Sequence, residues 1–110
     1  MGRLMREICL VHVDKTRPAL VLTREPTRFV MSKVTIAPIT STIKGLSSEV
    51  ILDARNGLDH ECAVSIDNTL TIPVAALGRT VGYLTPVQEK QLARAVVFAF
   101  DLSVPLSGSE

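Results

Sequence analysis

The 110-residue chain predicts one small, mainly β domain, a compact barrel or two-sheet fold with a single helix at its C-terminus. Short β-prone runs recur at close spacing, turn residues separate them, and a helix-start signature opens the last segment. Residues 7–13 are the first run. Turn residues at 14–18 interrupt it and residues 19–23 resume it, which predicts a hairpin. Residues 24–32 form a polar connector containing Pro26. Residues 33–39 alternate as a strand, and Pro38 limits that strand to an edge or a strand end. A hydroxyl-rich loop with Lys44 and Gly45 spans residues 40–48, and residues 49–53 form a short strand. Residues 55–59 carry an Asn-Gly turn signal. Two strands, 62–66 and 69–73, flank Asp67 and Asn68. A helical turn at 74–77 and a last strand at 79–84 follow. Thr85, Pro86 and Gln88 combine an N-cap hydroxyl, a proline at the first helical position and a capping-box partner. The helix then runs to about Asp101, with Leu92, Ala95, Val96, Ala99 and Leu102 as its core stripe. The tail after Leu102 is expected to fray.

Composition narrows the function. Hydrophobic residues make up 46% and charged residues 21%, the balance of a folded chain. The aromatics are Phe29, Tyr83, Phe98 and Phe100, too few for a sheet face that stacks bases. Net charge is only +1, but residues 1–44 hold eight basic and three acidic residues while residues 45–110 hold four and eight. That asymmetry makes one face attractive to phosphates if the segments stay apart in space; mixing of the strands would erase it. Cys9 and Cys62 each sit inside an apolar run and read as buried free thiols. No apolar run is long enough to span a membrane, and the N-terminus has no secretory-signal pattern, so a cytoplasmic protein is expected.

The chemistry left open is limited. The chain has no Walker loop, no dinucleotide glycine motif and no nucleophile elbow around a serine. Cysteines, histidines and carboxylates show no metal-ligand spacing, so neither a metal nor a cofactor is expected. His12 and His60 read as structural or surface residues before they read as an acid–base pair. Polar residues at strand ends remain: Arg17 before Pro18; Thr40, Ser41 and Thr42 with Lys44 behind them; and Asp67, Asn68 and Thr69 between two strands. A guanidinium binds phosphate oxygens through its planar fork, and hydroxyls or loop N–H groups can orient the rest. Ordinary turn chemistry explains the same hydroxyls.

Over roughly residues 6–102 the chain resembles the MazF/PemK/Kid family of toxin endoribonucleases. The segments that carry the resemblance are RPALVLT at 17–23, VTIAPITSTIKGL at 34–46, NGLD at 56–59, CAVSIDN at 62–68 and LGRTVGYLTP at 77–86. The resemblance implies an SH3-like β-barrel with a C-terminal helix, of the type shared by CcdB, Kid and MazF, acting as a homodimer. It implies metal-independent, sequence-specific cleavage of single-stranded RNA. The 2′-hydroxyl attacks the adjacent phosphate and leaves a 2′,3′-cyclic phosphate and a 5′-hydroxyl. It also implies a MazE-like antitoxin whose flexible segment covers the RNA groove. The family's catalytic arginine falls on Arg17 and its catalytic threonine on Thr40. Arg17 becomes the main charge stabiliser and a candidate acid toward the leaving 5′-oxygen. A guanidinium gives up its proton too reluctantly for an easy general base. Thr40 would orient the phosphate or the 2′-hydroxyl. Thr16, Ser41, Thr42, Lys44, Asp67, Asn68 and Thr69 would line the groove and contact RNA. The chain departs from the family pattern at Arg6, where glycine is usual, at Cys9, where an aromatic is usual, and in its short first hairpin loop. Two rival readings are a CcdB-like gyrase poison, whose usual C-terminal ending the residues 106–110 do not match, and an inactive barrel that only binds RNA or its antitoxin.

Overall fold

A computed structural model describes residues 5–24 and 30–103. The Pro26 portion of the connector, Phe29 and residues 104–110 lie outside the described residues. Among the described residues, seven strands and one α-helix follow in order. They are β1 (Glu7–His12), β2 (Thr16–Val21), β3 (Lys33–Thr40), β4 (Glu49–Leu52), β5 (Cys62–Ser65), β6 (Leu70–Pro73), β7 (Leu77–Tyr83) and the C-terminal helix (Pro86–Ala99). The strands pair antiparallel in the order β4-β5-β3-β2-β1-β7, with β6 also on β3. The result is a half-barrel with the helix against one side.

β1, β2 and β3 carry apolar residues on both faces. Ile8, Leu20, Ala37 and Ile39 join Val50, Leu52, Val64, Ile66, Leu84, Leu92 and Ala95 in the layer that meets the helix. Cys9, Val11, Ala19, Val21, Val34, Ile36 and Ile72 form a second layer on the opposite face. Such two-sided burial explains why β1 reads as a nearly continuous apolar run. Both cysteines are buried and neither is in a disulfide, as expected.

β3 is the hub. Residues 33–36 pair with β6 and residues 39–40 with β5 along one edge, while Ile36, Ala37 and Pro38 pair with β2 along the other. Pro38 therefore stands inside a central strand, which corrects the expectation of an edge or an end. The N–H of Leu22 donates to Thr35 O at 2.9 Å, so Thr35 and Ala37 turn their polar groups toward β2. By alternation the N–H that Pro38 lacks would have pointed at the other edge. There it faces the gap between the Ile36–Leu70 and Ile39–Val64 pairs, where no donor is needed.

The ends of the strand order, β4 and β7, meet through a 3₁₀ turn at Ala54–Asn56. Asn56 is fully buried and uses all its hydrogen-bonding capacity. Its Nδ2 donates to Tyr83 O at 2.8 Å and Gln88 Oε1 at 2.6 Å. Its Oδ1 accepts from Asp53 N and from Gln88 Nε2, both at 3.1 Å. Gln88 Nε2 also donates to Ile51 O at 3.2 Å, and Gln88 Oε1 accepts from Thr85 N at 3.0 Å in the expected capping box. Two facing glycines let the turn close on β7. A Cβ on Gly82 would stand 1.8 Å from Asn56 O, and one on Gly57 would stand 1.9 Å from Val81 O.

Element boundaries shift by one to three residues, and three of the shifts matter here. β2 begins at Thr16 rather than at 19, so Arg17 lies within a strand, and β7 begins at Leu77 rather than at 79. The helix stops at Ala99. Asp101 takes a left-handed φ of 52°, its N–H donates to Phe98 O, and the N–H of Leu102 donates to Val97 O. That is a Schellman ending, and it turns Leu102 out of the expected stripe, leaving it exposed.

Asn56→Ala removes four hydrogen bonds and strands several buried partners. A loss of about 3 kcal/mol in urea unfolding is expected. A loss below about 1 kcal/mol would mean that the network contributes little. Burial, followed by the nearby charges of Asp59 and Glu61, pushes the Cys62 thiol up. The folded chain thus favours the protonated thiol. That contribution is full below the unfolded thiol's range and is lost as pH rises through the raised value. Ellman's reagent at neutral pH should label neither cysteine in the native protein and both in urea; rapid native labelling would contradict this.

Candidate active site

The two strongest candidates lie just past the end of one strand pair. The β2–β3 ladder pairs Ala19 with Pro38, Leu20 with Ala37 and Val21 with Ile36. Continued by two residues in the same antiparallel register, it sets Arg17 opposite Thr40. Side chains two residues apart share a face, so Arg17 lies on the face of Ala19 and Val21, and Thr40 on the face of Val34 and Ile36. Both candidates therefore stand at one end of the face away from the helix, just past the last ladder pair.

Arg17 is exposed, and among the described residues no carboxylate or hydrogen-bond acceptor holds its guanidinium. It borders a cleft of about 190 Å³ with Val11, Lys15, Pro38 and Leu70; Thr40 does not itself line this cleft. Two other arginines are committed elsewhere. Arg6 forms a two-pronged ion pair with Glu89 at 3.1 and 2.9 Å and donates to Leu22 O at 2.8 Å. The arginine found at the family's usual glycine position thus ties the entry of β1 to the end of β2 and to the helix. Arg55 pairs with Asp53 at 3.0 Å, and its guanidinium, then its backbone N–H, hold the Asp53 carboxyl below the usual carboxylate range.

Thr40 half-buries its side chain at the end of β3, and its Oγ1 accepts from Thr42 N at 3.1 Å. Ser41, Thr42 and Lys44 follow in an exposed loop. The expectation that this loop's own N–H groups would meet a phosphate is corrected for Lys44, Gly45 and Leu46. All three donate to the carboxylate of Glu49. The Asp67–Thr69 group divides. Asp67 accepts a short hydrogen bond from the buried hydroxyl of Ser48, and Asn68 Nδ2 donates to Ser65 Oγ at 2.7 Å. Thr69 is not brought to the Arg17 cleft: it lines a different cavity, beside Thr35, Leu92 and Phe100 under the helix.

Thr16 faces His12 across the hairpin and bonds its Nδ1 at 2.8 Å. Alternation sets this pair on the face opposite Arg17. The His12 ring lies over Gly78, where a Cβ would come within 2.7 Å of Nε2. His60 pairs with its neighbour Asp59 in an exposed turn, far from His12 in the strand order. Sequence reasoning missed Glu49. Its signal was a lone acid following a lysine–glycine turn, but three N–H groups converging on it are visible only in three dimensions. Among the described residues no three His, Cys, Asp or Glu side chains gather as a metal site, and no helix is long and apolar enough to cross a membrane.

Residues 7–100 match the family of PemK-like, MazF-like toxins of type II toxin-antitoxin systems. Endoribonuclease MazF3 of Mycobacterium tuberculosis is 54% identical over 98 residues, covering 89% of this chain and 95% of that protein. The solved structure of Mycobacterium tuberculosis toxin MazF-mt6 is 52% identical and superposes with a TM-score of 0.87, covering 90% of this chain and all of that one. A mycobacterial endoribonuclease solved with its cognate antitoxin superposes at a TM-score of 0.78 with 19% identity, covering 96% of this chain and 100% of that one, a likeness of fold.

Because Arg17 is exposed and unpartnered, Arg17→Ala should change unfolding stability by no more than about 0.5 kcal/mol. Thr40→Ala frees one N–H in a partly exposed turn and should cost about 1 kcal/mol. Thermal melts followed by circular dichroism test both. An unfolded Thr40→Ala protein would make Thr40 a structural residue first.

Proposed function

The chain belongs to the PemK-like, MazF-like toxin family of type II toxin-antitoxin systems, and from that membership we propose that it is a toxin endoribonuclease that cuts single-stranded RNA without a metal ion. The observation that carries the catalytic reading is the β2–β3 ladder, whose register, extended two residues past Ala19–Pro38, would set Arg17 opposite Thr40. Arg17 supplies an exposed guanidinium at the rim of a cleft, and Thr40 supplies a half-buried hydroxyl at the end of β3.

In the reaction, the RNA 2′-oxygen attacks the adjacent phosphorus and loses its proton. The bond from phosphorus to the 5′-oxygen breaks, and that oxygen takes up a proton. A 2′,3′-cyclic phosphate and a 5′-hydroxyl result. Charge builds on the non-bridging oxygens as phosphorus becomes five-coordinate. Arg17 meets it with two parallel N–H donors and can pass a proton toward the leaving oxygen. Thr40 orients the phosphate or the attacking hydroxyl. Ser41, Thr42 and Lys44 contact the neighbouring nucleotides, and Thr16, Asp67 and Asn68 contribute at the margins.

The chain acts in the cytoplasm as a homodimer, and a MazE-like antitoxin covers the groove; the antitoxin-bound mycobacterial relative supports that partner. Cleavage of messenger RNA then arrests translation and growth.

Incubation of the protein with a long single-stranded RNA in EDTA should give discrete cuts at one short sequence, with 5′-hydroxyl ends. Arg17→Ala should lower the rate about 10³-fold or more, the scale of losing one charge-stabilising donor set, and Thr40→Ala about 10- to 100-fold. Wild-type cutting by Arg17→Ala would overturn the site assignment.

A further inference from the structure

The loop between β3 and β4 carries Ser41, Thr42 and Lys44, and one carboxylate at its far end gives it shape. Glu49 Oε1 accepts from the N–H groups of Gly45 at 2.9 Å and Leu46 at 3.1 Å, and Oε2 accepts from Lys44 N–H at 3.2 Å. Three consecutive amides converging on one anion form a nest, a backbone concavity with a fixed partial positive charge. Gly45 makes the concavity possible through its left-handed φ of 78°. Glu49 N–H in turn donates to Leu46 O at 3.0 Å, which closes the loop on the same residue.

The loop has few other supports. Thr40 Oγ1 fixes its start through Thr42 N, and Ser48, bonded to Asp67, fixes its end. Among the described residues, the carboxylate of Glu49 is the only acceptor for the N–H groups of residues 44–46. Glu49 is itself half-buried at the start of β4, where it pairs with Ser65. It is thus an anchored acceptor, held on the sheet and aimed into the loop.

We infer that Glu49 is a positioning residue for the RNA-cleaving site: its carboxylate fills the loop's nest and holds Ser41, Thr42 and Lys44 where substrate phosphates meet them. The inference rests on the endoribonuclease reading and extends it to a residue outside the reacting pair. Filling the nest from within has a second effect. The three amides no longer attract a phosphate, so RNA is met by the exposed hydroxyls and by the Lys44 ammonium, whose reach depends on a fixed backbone.

Full-length Glu49→Ala and Glu49→Gln proteins test this with three readouts: amide hydrogen exchange at residues 44–46, melting temperature, and steady-state cleavage of a single-stranded RNA. Glu49→Ala should speed exchange at all three amides and raise KM roughly tenfold with kcat within about threefold, as expected from losing a charge-assisted contact. Glu49→Gln keeps one oxygen able to hold Gly45 and Leu46, and it should bring KM back to within about threefold of wild type. If Glu49→Ala lowers the melting temperature but leaves KM unchanged, Glu49 is structural only and the inference fails. Unchanged exchange at 44–46, or a Glu49→Gln protein as impaired as Glu49→Ala, also overturns it. If Glu49→Ala fails to fold, the Glu49→Gln exchange and KM values decide. A wild-type protein that leaves RNA uncut counts against the endoribonuclease reading. In that case affinity for the same RNA, measured by fluorescence anisotropy, replaces KM, and equal affinity of wild type and Glu49→Ala overturns the positioning role.

Discussion

Two primary amides hold the half-barrel shut. Asn56 and Gln88 exchange hydrogen bonds in both directions, and each spends its remaining capacity on a different backbone element. Asn56 reaches Tyr83 and Asp53; Gln88 reaches Ile51 and Thr85. A single buried pair thereby joins β4, the turn after it, the end of β7 and the first turn of the helix. Neutral amides suit this position. They satisfy several backbone groups at once without the desolvation penalty of a buried charge. In a low-dielectric interior a fully satisfied network specifies one arrangement, whereas a partly satisfied one would be costly. The closure needs bare backbone on both sides, and Gly57 and Gly82 supply it.

The cationic groups are divided between architecture and surface. Arg6 and Arg55 are fixed by Glu89 and Asp53. Arg17 and Lys44 stay exposed near the end of the sheet where β2 and β3 part. Glu49 does for the backbone what those acids do for side chains, by neutralising a concentration of N–H dipoles. The site face is left with charges that a phosphate can reach.

Much of this was legible in the chain. The strands followed from β-prone runs and their turns, and the helix start from Thr85, Pro86 and Gln88. What escaped depends on partners distant in sequence. Gln88 was readable as a cap, but not as half of a buried pair with a residue 32 positions away. The helix end was misread because Asp101 adopts a conformation usually left to glycine. Arg17 and Thr40 were recognisable as candidates through the family resemblance, yet their facing is a property of register, which local pattern alone does not fix. The Asp67–Thr69 turn looked like one polar group, but its three side chains part toward Ser48, Ser65 and the cavity under the helix.

Pro38 gives the opposite edge of β3 an index mark. Along the β5–β6 edge of β3 it is the one position with no hydrogen to donate, and the native alignment parks it in the break between the two partner strands. If either partner slid along β3, a carbonyl would come to rest on that mute position and go unanswered, at a cost of about 1–3 kcal/mol. Two residues further along the same strand is Thr40. A proline that performs no chemistry thus works as a ratchet tooth, keeping β5 and β6 in phase with the strand that ends in Thr40.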